Sequence, residues 1–210
     1  MSNTLGIVSD KFQFIIFMIP KNASSTFRAE FKKEVYHTYE FQHNKWEEKK
    51  YTNYKKFVFL RNPIDRFFSG YFEVYSRHRG QISYYRERNM NKEPTLSFLS
   101  LNDSVENIYD FLEHIKNRGF FEVHINKQIY FIKNHPIDTY FLVKNSNEGI
   151  QYIRKIYGLP PLIEELPFYR KRIGKHRPFQ YYKEDMPSYI IDSVKEIYAE
   201  DILLYNKIIR

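Results

Sequence analysis

Apolar positions along this chain come in short dense runs, separated by polar and often basic stretches. The first run, from Phe12 to Ile19, is interrupted only by Gln13 and stops at Pro20. A run of that length, rich in Phe and Ile, predicts a strand buried on both faces. Lys21, Asn22, Ala23, Ser24, Ser25 and Thr26 follow, and FRAEFKKEV then suits a helix over about 24–35. VYHTYEFQ (35–42) alternates and is β-branched and aromatic, which predicts a second strand. HNKWEEKKYTNYKK (43–56) is polar and reads as loop or surface. Phe57, Val58, Phe59 and Leu60 form a third buried strand. Asn62 and Pro63 then open a helix, since Asn caps well and Pro suits the first helical position. Phe67, Phe68, Tyr71, Phe72 and Tyr75 are its apolar face.

Residues 80–103 keep no clear period and read as a long connection, a substrate loop or a partly mobile lid. Val105, Ile108, Phe111, Leu112 and Ile115 hold helical spacing, with Asp103 or Ser104 at the start. VHINKQIYFI (123–132) fits strand and helix equally. TYFLVK (139–144) predicts a strand. A helix capped by Asn145 or Ser146 follows to about Tyr157, ended by Gly158 and the prolines at 160 and 161. From Pro187 onward Ile190, Ile191, Val194, Ile197, Tyr198, Ile202 and Leu203 again fall at helical spacing. Strands alternating with helices predict an α/β protein with a parallel sheet covered on both faces. No repeat or linker interrupts the 210 residues, so a single domain, 1–210, is expected.

Composition narrows the partners. The formal net charge is +8 and the isoelectric point about 9.3, which favours an anion: nucleic acid, a phosphate-bearing cofactor, an acidic polysaccharide or a membrane surface. With 19 Tyr and 19 Phe, many tyrosines must reach the surface or line clefts, because few cores satisfy so many hydroxyls. The absence of cysteine excludes disulfides, thiolate metal sites and cysteine nucleophiles. MSNTLGIVSDK lacks the pattern of a secretory leader, and the run at Phe12 is too short to cross a membrane, so a cytoplasmic protein is expected.

Two stretches carry chemistry. A strand, a turn containing Lys21 and a helix start make an anion site, through free N–H groups and the helix dipole. PKNASST lacks the glycines and the Gly-Lys-Ser/Thr ending of an ATP-binding loop. Arg61 ends a buried strand, and Ser69 lies about two turns into the following helix, roughly 9 Å along its axis. Arg66 and Ser69 share a face, so a guanidinium fork and a hydroxyl are available to one phosphate. His37 and His43 have no second pair to support a metal site, and none is expected.

Together, IPKNASST and FVFLRNPIDRFFSGYFE resemble the two nucleotide-binding motifs of the PAPS-dependent sulfotransferases, with wording closest to the carbohydrate-sulfotransferase branch. The first is similar to that family's 5′-phosphosulfate loop, PKxxxTS or PKxGxT, with Ala23 and Ser24 where many members carry glycine. The second is similar to its 3′-phosphate motif, R-[ND]-P-x-x-R-x-x-S. YAEDILLYN (198–206) resembles a Y-x-x-D signature near the end of many members. The resemblance implies a three-layer sandwich around a central, mostly parallel sheet, similar to the P-loop NTPases. It implies transfer of a sulfuryl group from PAPS to a hydroxyl, with a carbohydrate or glycan acceptor and release of 3′,5′-ADP.

Roles follow at matched positions. Lys21 would sit on the oxygen bridging phosphate and sulfate, and Asn22, Ala23, Ser24, Ser25 and Thr26 would cradle the 5′-phosphate. Arg61 and Ser69 would hold the 3′-phosphate. RIGKHRP (172–178) is similar to a late basic loop of the family, which brings in Lys175 and Arg177. The general base stays open. His43, in FQHNKW, resembles a His-x-x-Trp stretch of heparan-sulfate 6-O-type enzymes. His124, in FEVHINKQ, resembles a His-x-x-x-Gln stretch of other carbohydrate sulfotransferases, and Glu40 is the carboxylate alternative. YYRERNMNK (84–92) reads as an acidic-sugar contact or as solvated loop. Two other readings of the chain remain, a divergent nucleotide kinase and a basic nucleic-acid-binding module.

Overall fold

A computed structural model of the chain describes residues 4–31, 37–41, 48–87, 104–162 and 186–209. In chain order the elements are β1 (Thr4–Ser9), β2 (Phe14–Met18), α1 (Ser24–Phe31), β3 (His37–Phe41), α2 (Glu48–Tyr51), β4 (Lys55–Leu60), α3 (Pro63–Glu87) and α4 (Val105–Arg118). β5 (Thr139–Leu142), α5 (Ser146–Ile156), α6 (Ser188–Ile197) and α7 (Ala199–Ile209) complete them. The chain forms two compact units.

The first unit draws on the spans Met1–Asn62, Lys127–Lys171 and Leu203–Arg210. Its five strands lie in the order β3-β1-β2-β4-β5. β2, the central strand, is buried along its whole length, as its unbroken apolar sequence predicts. It runs parallel to β4, with Ile16 opposite Phe57, and β4 runs parallel to β5, with Phe59 opposite Phe141. β1 is antiparallel to both its neighbours, with Gly6 opposite Phe17 on one side and Tyr39 on the other. The sheet is therefore mixed, where a mostly parallel one was expected. The cause is β1, a strand not expected from the sequence. The turn Asp10–Gln13 joins it directly to β2, and so short a turn permits only antiparallel pairing.

One face of the sheet holds Ile7, Phe14, Ile16, Met18, Phe57 and Phe59 against Phe27 and Phe31 of α1 and Ile150 and Ile153 of α5. Alternation along each strand and the three-to-four spacing along each helix put these side chains together. The Phe27 and Phe59 rings lie 4.3 Å apart. α5 approaches the sheet through Gly149, where a Cβ would come within 2.6 Å of the Phe59 ring. Arg154 of α5 pairs with Glu30 of α1 at 2.9 Å, with both side chains largely buried. On the opposite face Phe17 stacks on His135 at 4.7 Å.

The second unit, Pro63–Asn126 and Arg172–Ile202, is helical among its described residues. Phe67, Tyr71, Val74 and Tyr75 of α3 pack with Ile108, Phe111, Leu112 and Ile115 of α4 and with Ile190 and Val194 of α6. Ser104 caps α4 by accepting from Asn107 N at 3.3 Å, as expected. α3 runs on to Glu87, further than its apolar pattern carries, and the rest of the predicted connection, 88–103, lies outside the described residues. The ambiguous segment 123–132 is mostly turns, with one short 3-10 helix at Ile129–Phe131. The tail breaks into α6 and α7 at Tyr198. Among the described residues no helix is long and apolar enough to cross a membrane.

Candidate active site

β2 delivers the chain to the turn Pro20–Ala23, and α1 leaves it at Ser24. Asn22 N donates to Ile19 O at 3.1 Å, and Thr26 N and Phe27 N both donate to Ala23 O, at 2.9 and 3.1 Å. Lys21 and Ala23 have φ of 70° and 60°. That left-handed conformation costs a residue with a Cβ on the order of 1–2 kcal/mol. It persists only where the surroundings over-determine it, and such places concentrate at functional sites. It also explains the glycine of the PKxGxT form: the backbone at position 23 is one that glycine adopts without cost. Ser24 and Ser25, in the first turn of α1, have N–H groups with no intrahelical acceptor.

The turn is held to the end of β4. Asn22 is buried, and its Nδ2 donates to Phe59 O at 2.8 Å and to Gln128 Oε1 at 2.6 Å. Its Oδ1 is also buried and has no donor among the described residues. Arg61 follows directly after β4. Its Nη1 donates to Lys21 O at 3.0 Å. Gln128, 1% exposed, grips the Arg61 main chain from both sides: Arg61 N donates to Oε1 at 3.0 Å, and Nε2 donates to Arg61 O at 2.9 Å. Lys21, Asn22 and Arg61, singled out in two motifs some forty residues apart, are thus brought into one network within the first unit. Gln128 was missed as a site residue. The signal was present as the last letter of the His-x-x-x-Gln stretch, His124 to Gln128.

Ser69 lies on α3 in the second unit, partly buried. Arg66, expected to share a phosphate with Ser69, is fully buried and donates to Asn126 O at 2.6 Å. It belongs to the interior of the second unit, because α3 turns positions 66, 67 and 71 inward together. Tyr198 and Asp201, the Y-x-x-D pair, are buried as well. The Tyr198 hydroxyl donates to Ile125 O, and burial holds its pKa above the ordinary tyrosine range.

His124 sits in an ion cluster of the second unit. Its Nδ1 is 2.8 Å from Glu122 Oε2 and 3.0 Å from Arg77 Nη2, and its N–H donates to Glu122 Oε2 at 2.7 Å. Burial pushes the Glu122 carboxyl up, but hydrogen bonds from His124 and the charges of His124 and Arg77 outweigh it and bring its pKa down to about 2. Nδ1 is thus held between the Glu122 carboxylate and the Arg77 guanidinium. Glu40 lies in β3, opposite Leu5. His43, Lys175 and Arg177 lie outside the described residues. Among the described residues no three His, Asp or Glu side chains gather as a metal site would require.

Searches of curated proteins and of solved structures returned no match. A family model described as "Sulfotransferase family" matches residues 4–207, a span that takes in both units and both motif stretches. The chain therefore belongs to the sulfotransferase family.

Proposed function

We propose that this sulfotransferase moves a sulfuryl group from PAPS to a hydroxyl of a carbohydrate or glycan acceptor and releases 3′,5′-ADP. The observation that carries the reading is the bond from Arg61 Nη1 to Lys21 O, 3.0 Å long. It ties a cation beside the first helix turn to a second cation at the end of the neighbouring strand. PAPS presents charge at two places, a 5′-phosphosulfate and a 3′-phosphate. The residues fit such a molecule: a left-handed turn opening onto the first-turn N–H groups of Ser24 and Ser25, flanked by Lys21 and Arg61.

PAPS, when bound, supplies the sulfuryl group and a stable nucleotide leaving group. Lys21 neutralises negative charge that grows on the bridging oxygen as the S–O bond breaks. Asn22 to Thr26 orient the 5′-phosphate through main-chain N–H groups and hydroxyls. Arg61 binds the 3′-phosphate, and Ser69, Lys175 and Arg177 are assigned to the nucleotide by their motifs alone. A base must take the acceptor's proton. His43, His124 and Glu40 remain the candidates, and the Glu122 carboxylate against His124 Nδ1 favours His124, because a carboxylate there is the partner that orients a catalytic imidazole. The carbohydrate acceptor rests on the branch that the motifs resemble.

A divergent nucleotide kinase is disfavoured by the missing Gly-Lys-Ser/Thr ending, and a nucleic-acid module by a positive charge that an anionic nucleotide already explains. The test is a sulfate-donor assay with PAPS against a glycan panel, alongside thermal shifts with 3′,5′-ADP, 5′-AMP and ATP. The reading expects sulfated product and the largest shift with 3′,5′-ADP. Equal shifts with all three nucleotides would sink it.

A further inference from the structure

We propose that Gln128 is a positioning residue for recognition of the 3′-phosphate, acting through Arg61. The inference rests on the reading of Arg61 given above. β4 ends at Leu60, so the main chain of Arg61 has left the ladder. Its N–H and C=O are nonetheless both engaged, by the two ends of one side-chain amide, at 3.0 and 2.9 Å. Gln128 thus does for Arg61 what a neighbouring strand would do, and it sets the direction in which the guanidinium leaves the backbone. Its Oε1 accepts a second bond, from Asn22 Nδ2, at 2.6 Å. Asn22 and Arg61 are therefore registered against one atom, and the Arg61 Nη1 bond to Lys21 O closes a ring of four residues.

The geometry distinguishes the two phosphate positions. Asn22 keeps a second anchor at Phe59 O, 2.8 Å away, so the turn at Lys21–Ala23 stays tied to β4 when Gln128 is altered. The Arg61 main chain is held by Gln128 at both its N–H and its C=O. A buried amide with all these bonds satisfied is rigid, and rigid support is what holds a charged fork within the few tenths of an ångström that bidentate phosphate binding needs. Loss of Gln128 therefore falls on the 3′-phosphate and spares the 5′-phosphate.

The experiment is calorimetric titration of 3′,5′-ADP and 5′-AMP into the wild type, Gln128→Leu and Gln128→Glu. The wild type is expected to prefer 3′,5′-ADP. Gln128→Leu should lose about tenfold of that preference, with 5′-AMP affinity held within about threefold. In Gln128→Glu the ionised carboxylate repels Arg61 O, whereas the protonated acid again donates to it. The preference should then be low at about pH 8 and recover toward about pH 5.5. A merely structural role moves both ligands together and shows no such recovery. If Gln128→Leu does not fold, the pH series of Gln128→Glu decides alone. Recovery of the preference supports the proposal, and a preference flat with pH overturns it. Full preference in folded Gln128→Leu also overturns it. A wild type that binds both nucleotides equally removes the 3′-phosphate from Arg61, and that outcome is distinct from a failure of Gln128.

Discussion

The guanidinium of Arg61 donates to the main-chain oxygen of Lys21 across 3.0 Å. One of its five donors is spent on the loop rather than left for a ligand. The lysine that the proposed chemistry needs is thereby held in its left-handed conformation by the arginine of the second motif.

Lys21→Ala and Arg61→Ala should consequently fail in different ways. Lys21→Ala should lower kcat by about two orders of magnitude with a much smaller change in 3′,5′-ADP affinity, since the ammonium acts on charge that develops during transfer. Arg61→Ala should weaken 3′,5′-ADP by at least about tenfold and also lower kcat, because Lys21 O loses its donor. Steady-state kinetics with calorimetric Kd values separates the two. Unchanged kcat in Lys21→Ala would remove that residue from the mechanism.

Ala23, at φ 60°, should tolerate glycine unusually well. Relief of about 1–2 kcal/mol of left-handed strain offsets the extra freedom of the unfolded chain, about 0.4–1 kcal/mol, and one lost methyl, about 0.8 kcal/mol. Ala23→Gly should leave stability within about 0.5 kcal/mol of wild type, whereas Ala23→Val should cost about 1–3 kcal/mol. Urea unfolding of the two variants checks this; equal losses would mean that position 23 is not left-handed.

Gly70 in α3 faces the turn that carries His124, and a Cβ there would lie 2.4 Å from His124 O. Since the obstacle is backbone, it has no rotamer by which to yield. Gly70→Ala should lower stability by about 1–3 kcal/mol, although alanine is the better helix former by about 1 kcal/mol. A more stable Gly70→Ala, measured by thermal unfolding, would show that α3 does not approach the turn so closely.

The Glu122 carboxyl, lowered from 4.5 to about 2, favours the folded state when ionised. Its contribution is complete above about pH 4.5 and is lost as pH falls through about 2, because the unfolded chain takes up the proton first. Stability should decline over that window, and Glu122→Gln should flatten the decline. If His124 is the base, Glu122→Gln should also shift the acid limb of the kcat/KM profile while leaving nucleotide affinity unchanged. Identical slopes and profiles in variant and wild type would leave Glu122 no role.

Local patterns made much of this molecule legible. β2 was read from its dense Phe and Ile run, β4 from Phe57 to Leu60, and α4 from its spacing and Ser104. The turn at Lys21 was read as an anion site because hydroxylated residues after a buried strand leave N–H groups free. Each of these rests on neighbours in the chain. β1 was not legible, since TLGIVS is short, with three strongly apolar residues, and its partner strand is what makes it a strand. Arg66 was misassigned for a related reason: helical spacing shows which residues share a face, but not which way the face turns.

By itself, then, the sequence determined the strands and helices that carry their own periodicity, the turn with Lys21 and the Arg61 motif, because those signals lie within a few residues of one another. Only the tertiary structure decided that the sheet is mixed, that Arg66 is interior, and that Gln128 joins Asn22 to Arg61. The last two depend on hydrogen bonds between residues 37 to 106 positions apart, and no local pattern encodes which buried amide will meet which strand end.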